Sequence, residues 1–165
     1  MKIYQTDEIR NIALIGAAKS GKTTLAENML FEGKVINRKG TVDDKNTVSD
    51  YRQIETERQI SVNTSLLYTL HEGKKINILD APGFSDYTGD ILAAVSVADT
   101  AIFTVNGQNG VEATTENAWR QAEKAGTPVV FFINQLDHHN ANFDEVVKAL
   151  KDYFGDKVTL TQYPV

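Results

Sequence analysis

Near the N-terminus an apolar run, Ile9-Arg10-Asn11-Ile12-Ala13-Leu14-Ile15, is followed by Gly16-Ala17-Ala18-Lys19-Ser20-Gly21-Lys22-Thr23. The second part fits G-x-x-x-x-G-K-[ST] at every fixed position, and it lies between a predicted strand at residues 9–15 and a predicted helix at residues 22–31. Its glycines let successive backbone N–H groups turn inward around a polyphosphate, and the following helix adds its positive N-terminus. The sequence therefore predicts a site for nucleotide phosphates after the first strand.

Apolar runs and amphipathic stretches alternate along the rest of the chain. The runs predict further strands at residues 62–70, 75–79, 100–105, 129–133 and 157–161, and the amphipathic stretches predict helices at residues 91–98, 113–125 and 144–154. Residues 32–59 are polar with no predicted packed element, which is typical of a functional or mobile loop. The pattern predicts a three-layer α/β sandwich whose sheet is mostly parallel with one antiparallel strand.

Composition narrows the class of protein further. A chain of 165 residues predicts one domain, and the absence of cysteine excludes disulfides and thiolate metal sites. A formal charge of −5 disfavours direct, sequence-specific contact with nucleic acid. The N-terminus lacks a secretory pattern and no run is long enough to span a membrane, so we expect a cytoplasmic, monomeric protein without membrane contact.

Ligands of such sheets bind beyond the carboxyl ends of the strands, which here means after Ile15, Leu79, Val105 and Ile133. The segment after Leu79 is Asp80-Ala81-Pro82-Gly83, in which the carboxylate suits an outer Mg²⁺ contact and the glycine allows a backbone N–H to approach a γ-phosphate. In the first segment, Lys22 suits the β- and γ-phosphates and the Thr23 hydroxyl suits Mg²⁺.

A third segment, Asn134-Gln135-Leu136-Asp137, follows the strand that ends at Ile133. The Asp137 carboxylate can accept hydrogen bonds from the N1–H and 2-amino groups of guanine, and adenine offers neither donor. By itself this tetrapeptide, like Asp80-Ala81-Pro82-Gly83, is typical of an ordinary turn. The spacing of both after the glycine-rich turn favours the nucleotide-binding interpretation.

Together the three segments resemble a P-loop GTPase, and residues 47–62, TVSDYRQIETERQISV, are similar without gaps to the first switch of translational GTPases of the elongation factor G type. Gly110-Val111-Glu112 and the helix through Trp119 are also similar, so the resemblance covers essentially the whole chain. It implies GTP or GDP and Mg²⁺ as cofactors and the ribosome as partner. The residues it implies are, for phosphate, Gly16, Ala17, Ala18, Lys19, Ser20, Gly21, Lys22, Thr23 and Thr24; for guanine, Asn134, Gln135 and Asp137; for Mg²⁺, Thr23, Ser61 and Asp80; and for catalysis, Lys22, Gly83 and Phe84.

The chain departs from the family pattern at several of these positions. Ser61 stands where the family usually has Thr, and its hydroxyl can still bind Mg²⁺. Phe84 stands where most members have the His that orients the attacking water, and Gln135 stands where they have the Lys that covers the base. Lys19 and Gln59 replace a family Asp and Gly. These departures predict a GTP-binding domain with reduced guanine affinity and with slow or absent hydrolysis.

Three functions therefore remain open. The intact phosphate segment favours a GTP hydrolase acting on the ribosome, in translocation or a related step. Phe84 and Gln135 favour a ribosome-binding module in which nucleotide is dispensable, and a ribosomal-protection relative is a third candidate. The family's domain also carries an inserted subdomain, a further base-contacting loop and a closing helix, so we expect residues 1–165 to be a GTP-binding domain truncated before them.

Overall fold

A computed structural model describes residues 2–164, and its centre is one sheet of five strands. The strands are β1 (Ile9–Gly16), β2 (Ser65–His71), β3 (Lys74–Asp80), β4 (Thr100–Asn106) and β5 (Val129–Asn134). They lie in the order β2-β3-β1-β4-β5, and only the β2–β3 pair is antiparallel. This hairpin turns through Glu72 and Gly73, both with positive φ, as a two-residue turn between twisted strands requires.

Helices cover both faces of the sheet, which confirms the predicted fold class. They are α1 (Lys22–Glu32), α2 (Gln53–Arg58), α3 (Thr88–Val97), α4 (Ala113–Ala125) and α5 (Phe143–Phe154), with short 3₁₀ turns at Thr6–Glu8 and Ser85–Tyr87. Within residues 2–164, none of the helices has the length and hydropathy that a membrane crossing requires.

Alternate residues of β1 divide the core into two layers. Leu14 points to one face and packs with Ala26 of α1, whereas Ala13 and Ile15 point to the other and pack with α3 and α4. Phe131 of β5 contacts both the α4 cluster and the α5 cluster, so α5 lies on the same face as α3 and α4. The α1 face is therefore less covered than the opposite one.

Two local predictions are wrong. Residues 157–161 form no strand: only Val158 packs into the core, and the rest of this segment passes beside β5 without ladder hydrogen bonds. The polar loop at residues 32–59 does contain a packed element, the six-residue helix α2. Its start is stabilised by Glu55, whose carboxylate accepts a hydrogen bond from the Arg52 N–H at 3.3 Å.

The parallel strands bring their carboxyl ends to one edge of the sheet. Leu14 pairs with Asp80 across β1 and β3, and Asn106 pairs with Asn134 across β4 and β5. Gly16 at the end of β1 pairs with Thr104. All four predicted ligand positions therefore lie along the same edge.

Candidate nucleotide-binding site

The loop at residues 16–23 joins β1 to α1 and is closely packed on its neighbours. Gly21 has φ 94, and a Cβ added there would overlap the side-chain amide nitrogen of Asn134. The Ser20 hydroxyl lies 2.6 Å from that of Thr104, which ties the loop to β4. Glycine is favoured at position 21 because its backbone lies in the left-handed region, and a Cβ there would also displace the Asn134 side chain from the loop.

Lys22 places a buried ammonium group inside this loop. Its Nζ donates hydrogen bonds to the carbonyl oxygens of Gly16 and Ala17, at 3.0 and 2.9 Å. Burial lowers the pKa of Lys22, while the nearby carboxylates of Asp80 and Asp50 oppose that shift. A cation desolvated in this way suits a phosphate group.

Hydroxyls and carboxylates from four segments meet beside Lys22. Asp80 Oδ2 accepts hydrogen bonds from the hydroxyls of Thr23 at 2.9 Å and Ser49 at 2.6 Å. The Ser61 hydroxyl donates to Asp50 Oδ1 at 2.7 Å and lies 3.5 Å from that of Thr23. The three predicted metal residues Thr23, Ser61 and Asp80 are thus brought together.

The cluster also contains Asp50 and Ser49, which the sequence analysis did not single out as site residues. The two residues are neighbours in a polar loop, and no spacing rule distinguishes a site residue there from a solvated one. Burial raises the pKa of both Asp50 and Asp80. The loop must fold back over α1 before these groups can meet.

The cluster fits Mg²⁺ on two observations. Asp80 is fully buried, and within residues 2–164 its Oδ1 is the one buried side-chain oxygen or nitrogen without a hydrogen-bond partner. In the same residues no three carboxylates or histidines converge on one point, so a metal here would depend on hydroxyls and on the ligand's own oxygens. Mg²⁺ is bound in this way, with one or two protein carboxylates and substrate phosphates.

The segment after β3 passes directly over the glycine-rich loop. A Cβ at Gly83 would lie 2.6 Å from Lys22 Nζ and 2.7 Å from the Ala18 nitrogen. Phe84 follows it with 40% of its surface exposed, and its ring lines the adjacent cavity. Gly83 therefore lies against the glycine-rich loop, and Phe84 is a cavity-wall residue that lies outside the core.

The 134–137 loop contacts the other side of the glycine-rich loop. Asn134 Nδ2 donates to the Ser20 carbonyl at 3.0 Å, and Gln135 Nε2 donates to the Lys19 carbonyl at 3.0 Å. Asp137 is exposed and does not line the cavity. The carboxylate expected to read guanine therefore lies beyond Gln135.

A cavity of about 360 Å³ connects these elements, and its walls include Lys19, Lys22, Ser61, Gly83 and Gln135. That volume is within the range of small-molecule sites. A larger cavity of about 760 Å³ lies beside β5 and is lined mainly by apolar residues and by the segment after α5. Of these two cavities, only the smaller one is lined by Lys22, Thr23, Asp50 and Ser61.

Two buried glutamates hold residues 33–63, which connect α1 to β2, against the domain. Glu27 of α1 is 1% exposed, and its carboxylate accepts hydrogen bonds from the backbone N–H groups of Gly40 and Val48. Glu55, also 1% exposed, accepts from Val62 and Asn63 at 3.0 and 3.3 Å. These contacts place Asp50 and Ser61 beside Thr23.

Replacing Glu27 by Gln should loosen this region, because the amide can accept at one oxygen only and leaves one buried N–H unpaired. We expect the free energy of unfolding to fall by about 1–3 kcal/mol. Trypsin should cut faster after Arg38, Lys39 and Lys45. The matched control is Glu32→Gln at the exposed end of α1. Equal cleavage rates for the two variants would contradict the role of Glu27 in holding residues 33–63 against the domain.

Comparison with known proteins shows the family to which the chain belongs. The family profile described as the elongation factor Tu GTP binding domain matches residues 7–164. The chain therefore belongs to this family of translational GTPases, as the resemblance predicted.

Similar proteins include relatives named as elongation factor G or as an elongation factor G-like protein. The chain is 37% identical over 150 residues to an elongation factor G-like protein of Mycobacterium tuberculosis, covering 91% of this chain and 21% of the relative. It is 33% identical over 164 residues to elongation factor G of Petrotoga mobilis, covering 99% and 24%. A crystal structure of a Thermus thermophilus protein matches with a TM-score of 0.86 at 34% identity, covering 90% and 22%. The chain thus spans less than a quarter of the length of these proteins.

Proposed function

We propose that this chain binds GTP and GDP with Mg²⁺ and serves as the nucleotide switch of an elongation-factor-G-like protein that acts on the ribosome. The single observation that carries the proposal is the convergence of Lys22, Thr23 and Asp80 on one edge of the sheet, with Asp80 Oδ1 buried and unpartnered. Family membership of residues 7–164 supports the same conclusion.

Each group has a distinct role in this proposal. Lys22 and the amides of residues 16–24 hold the phosphates. Thr23 and Ser61 bind Mg²⁺, and Asp80 acts through the shell around it. The metal, when bound, neutralises charge on the β- and γ-phosphates. Asn134 and Asp137 read the base.

Calorimetry in Mg²⁺ with GTP, GDP, a non-hydrolysable GTP analogue and ATP tests the proposal. We expect binding of all three guanine nucleotides and none of ATP, because an unpaired carboxylate at Asp137 rejects adenine. Absence of binding to every guanine nucleotide would contradict it. That result would favour a ribosome-binding module in which nucleotide is dispensable.

We further propose that hydrolysis is slow, because the ring of Phe84 stands at the cavity wall and can neither accept nor donate a proton. Phe84→His should raise the single-turnover rate of GTP hydrolysis about a hundredfold, the order that a positioned acid or base contributes. Phe84→Leu, equally unable to bind water, is the matched control. Equal rates for the unaltered chain and Phe84→His would show that this position does not limit hydrolysis.

A role in ribosomal protection is the second candidate. The chain is 32% identical over 155 residues to the tetracycline resistance protein TetS of Listeria monocytogenes, covering 94% of this chain and 24% of that protein. Transfer of tetracycline resistance by the gene that encodes this chain would favour this candidate over a translocation step.

We also propose that a further element covers the α1 face of β4 and β5 in the complete GTP-binding domain. Val130 and Phe132 point to this face and are 51% and 41% exposed. Adjacent exposed apolar side chains of this size commonly mark a contact surface. Their exposure supports the expectation that a closing helix belongs to the domain.

A further inference from the structure

We propose that Asn106, at the end of β4, is a positioning residue that aligns the 134–137 loop with the glycine-rich loop by acting through Gln135. The inference rests on the proposed function, since it concerns how the base is held. Asn106 follows Val105 at the sheet edge. Of the four expected ligand positions, this is the one for which no motif predicts a chemical role.

The hydrogen bonds of Asn106 and Gln135 form a relay with one possible orientation. At one end the Lys19 carbonyl can only accept, so Gln135 must present its Nε2 there, at 3.0 Å. Its Oε1 then faces Asn106, which must donate from Nδ2. Flipping either amide would therefore place two acceptors or two donors against each other.

The far end of the relay is equally restricted. Asn106 Oδ1 accepts hydrogen bonds from the backbone N–H groups of Gln108 at 2.7 Å and Asn109 at 3.2 Å. Two backbone donors at one end and a backbone carbonyl at the other define the direction of every bond between them. The relay consequently joins three loops: the one after β4, the 134–137 loop and the glycine-rich loop.

The backbone beside Asn106 reinforces this connection. The Gly107 N–H donates to the Asn134 carbonyl at 2.8 Å, and the Gly107 carbonyl accepts from Asn142 at 3.0 Å. A Cβ at Gly107 would lie 2.9 Å from the Leu136 side chain. The turn after β4 therefore packs against the 134–137 loop and supports the backbone that leads to Asp137.

The relay also spans two residues in a conformation that L-amino acids rarely adopt. Lys19 has φ 63 and Gln135 has φ 60, and both are left-handed without being glycine. Such conformations cost free energy and persist where surrounding contacts hold them. The bond between Gln135 and Lys19 joins these two residues directly, so loss of the relay should let the 134–137 loop relax away from the phosphate end of the site.

The test compares affinities for GDP and for inosine diphosphate, which lacks the 2-amino group of guanine. Asn106→Ala should weaken GDP binding about tenfold, as expected when a hydrogen-bonded partner is left unsatisfied. The preference for GDP over inosine diphosphate should shrink as well, because a displaced 134–137 loop would carry Asp137 away from the position proposed for the base. The matched control is Asn140→Asp, a change at an exposed position of the same loop region.

A rescue by a second substitution distinguishes a positioning role of Asn106 from a role in folding stability alone. Asn106→Asp alone sets a carboxylate against Gln135 Oε1 and should also weaken GDP binding about tenfold. Combined with Gln135→Lys, it replaces the amide pair by an ion pair whose ammonium can donate both to the carboxylate and to the Lys19 carbonyl. We expect the double variant to recover the preference for GDP over inosine diphosphate.

Three results would overturn the inference: unchanged GDP affinity in Asn106→Ala, equal losses for GDP and inosine diphosphate, or a double variant no better than Asn106→Asp alone. If the unaltered chain fails to bind GDP, the proposed function is wrong and the inference falls with it. If the unaltered chain binds GDP but the variants behave like Asn140→Asp, only the positioning role of Asn106 is wrong.

Discussion

Replacing Lys22 by Ala is expected to weaken GTP binding at least about a hundredfold, because charge-assisted hydrogen bonds to phosphate are each worth about 1.5–3 kcal/mol. The ammonium lies inside the glycine-rich loop, where among residues 2–164 its hydrogen-bond partners are the Gly16 and Ala17 carbonyls. It already occupies a desolvated position, so little of its hydration remains to be lost when a phosphate arrives. Calorimetry with the non-hydrolysable GTP analogue measures the change without interference from turnover.

The control for this variant is Lys124→Ala, which removes the same charge from an exposed position on α4. Circular dichroism of both variants checks that the fold is retained. Affinity of Lys22→Ala within about threefold of the unaltered chain would mean that phosphates bind elsewhere. That outcome would contradict the proposed role of residues 16–24 as a whole.

Replacing Asp80 by Asn is expected to have two opposite effects. Mg²⁺-dependent GTP affinity should fall more than about tenfold, since a charged partner of the metal shell is lost. The nucleotide-free chain should become more stable, because a buried carboxylate with an unpartnered Oδ1 is replaced by a neutral amide that can still accept from Thr23 and Ser49. Opposite changes in ligand affinity and in folding stability are typical of a functional group that lowers the stability of the ligand-free protein.

The predicted gain in stability of Asp80→Asn should depend on pH, and the direction follows from the pKa of Asp80. Burial raises the pKa of Asp80, so the folded chain holds this proton more tightly than the unfolded chain does. Its contribution to stability therefore falls as the pH rises from the ordinary Asp pKa of about 3.9 towards the folded pKa, and it is lowest above that value. We expect the midpoint of thermal unfolding of Asp80→Asn to exceed that of the unaltered chain by more at pH 7 than at pH 4, and to do so by a few degrees.

Asp86→Asn serves as the control for Asp80→Asn, because Asp86 is exposed in the short turn that follows the same segment. A lower unfolding midpoint for Asp80→Asn than for Asp86→Asn at neutral pH would contradict the stability argument. Unchanged Mg²⁺ dependence of GTP binding would contradict the metal-shell role. The two readouts are independent, so one can be wrong while the other holds.

Much of the fold could be predicted from local sequence patterns. The strand from Ile9, the glycine-rich turn and the helix from Lys22 are each determined by neighbours within a few residues. The wrong predictions concern segments whose structure depends on contacts with residues far away in the chain, or on the absence of such contacts. Residues 157–161 have strand-like composition, yet they form no ladder with the edge strand β5 beside them, and composition cannot reveal that.

The site was predictable to the extent that it depends on motifs. Gly21, Lys22 and Asp80 occupy fixed positions in short patterns, and the structure brings them together. Asp50, by contrast, is an ordinary acidic residue in a polar loop until Glu27 and Glu55 hold that loop against the domain. Its position beside Thr23 depends on hydrogen bonds between segments that are far apart in the chain.

The family, the fold class and the chemical types of the groups at the sheet edge could be predicted, because they depend on short-range patterns and on the alternation of apolar residues. Which polar groups lack a partner, which loops are held by buried glutamates and which residues link them depends on tertiary contacts. Asn106 is the clearest case: its role follows from a relay of donors and acceptors that joins three loops. Hydrogen-bond direction and burial are properties of groups meeting in space, and no local pattern in the chain encodes them.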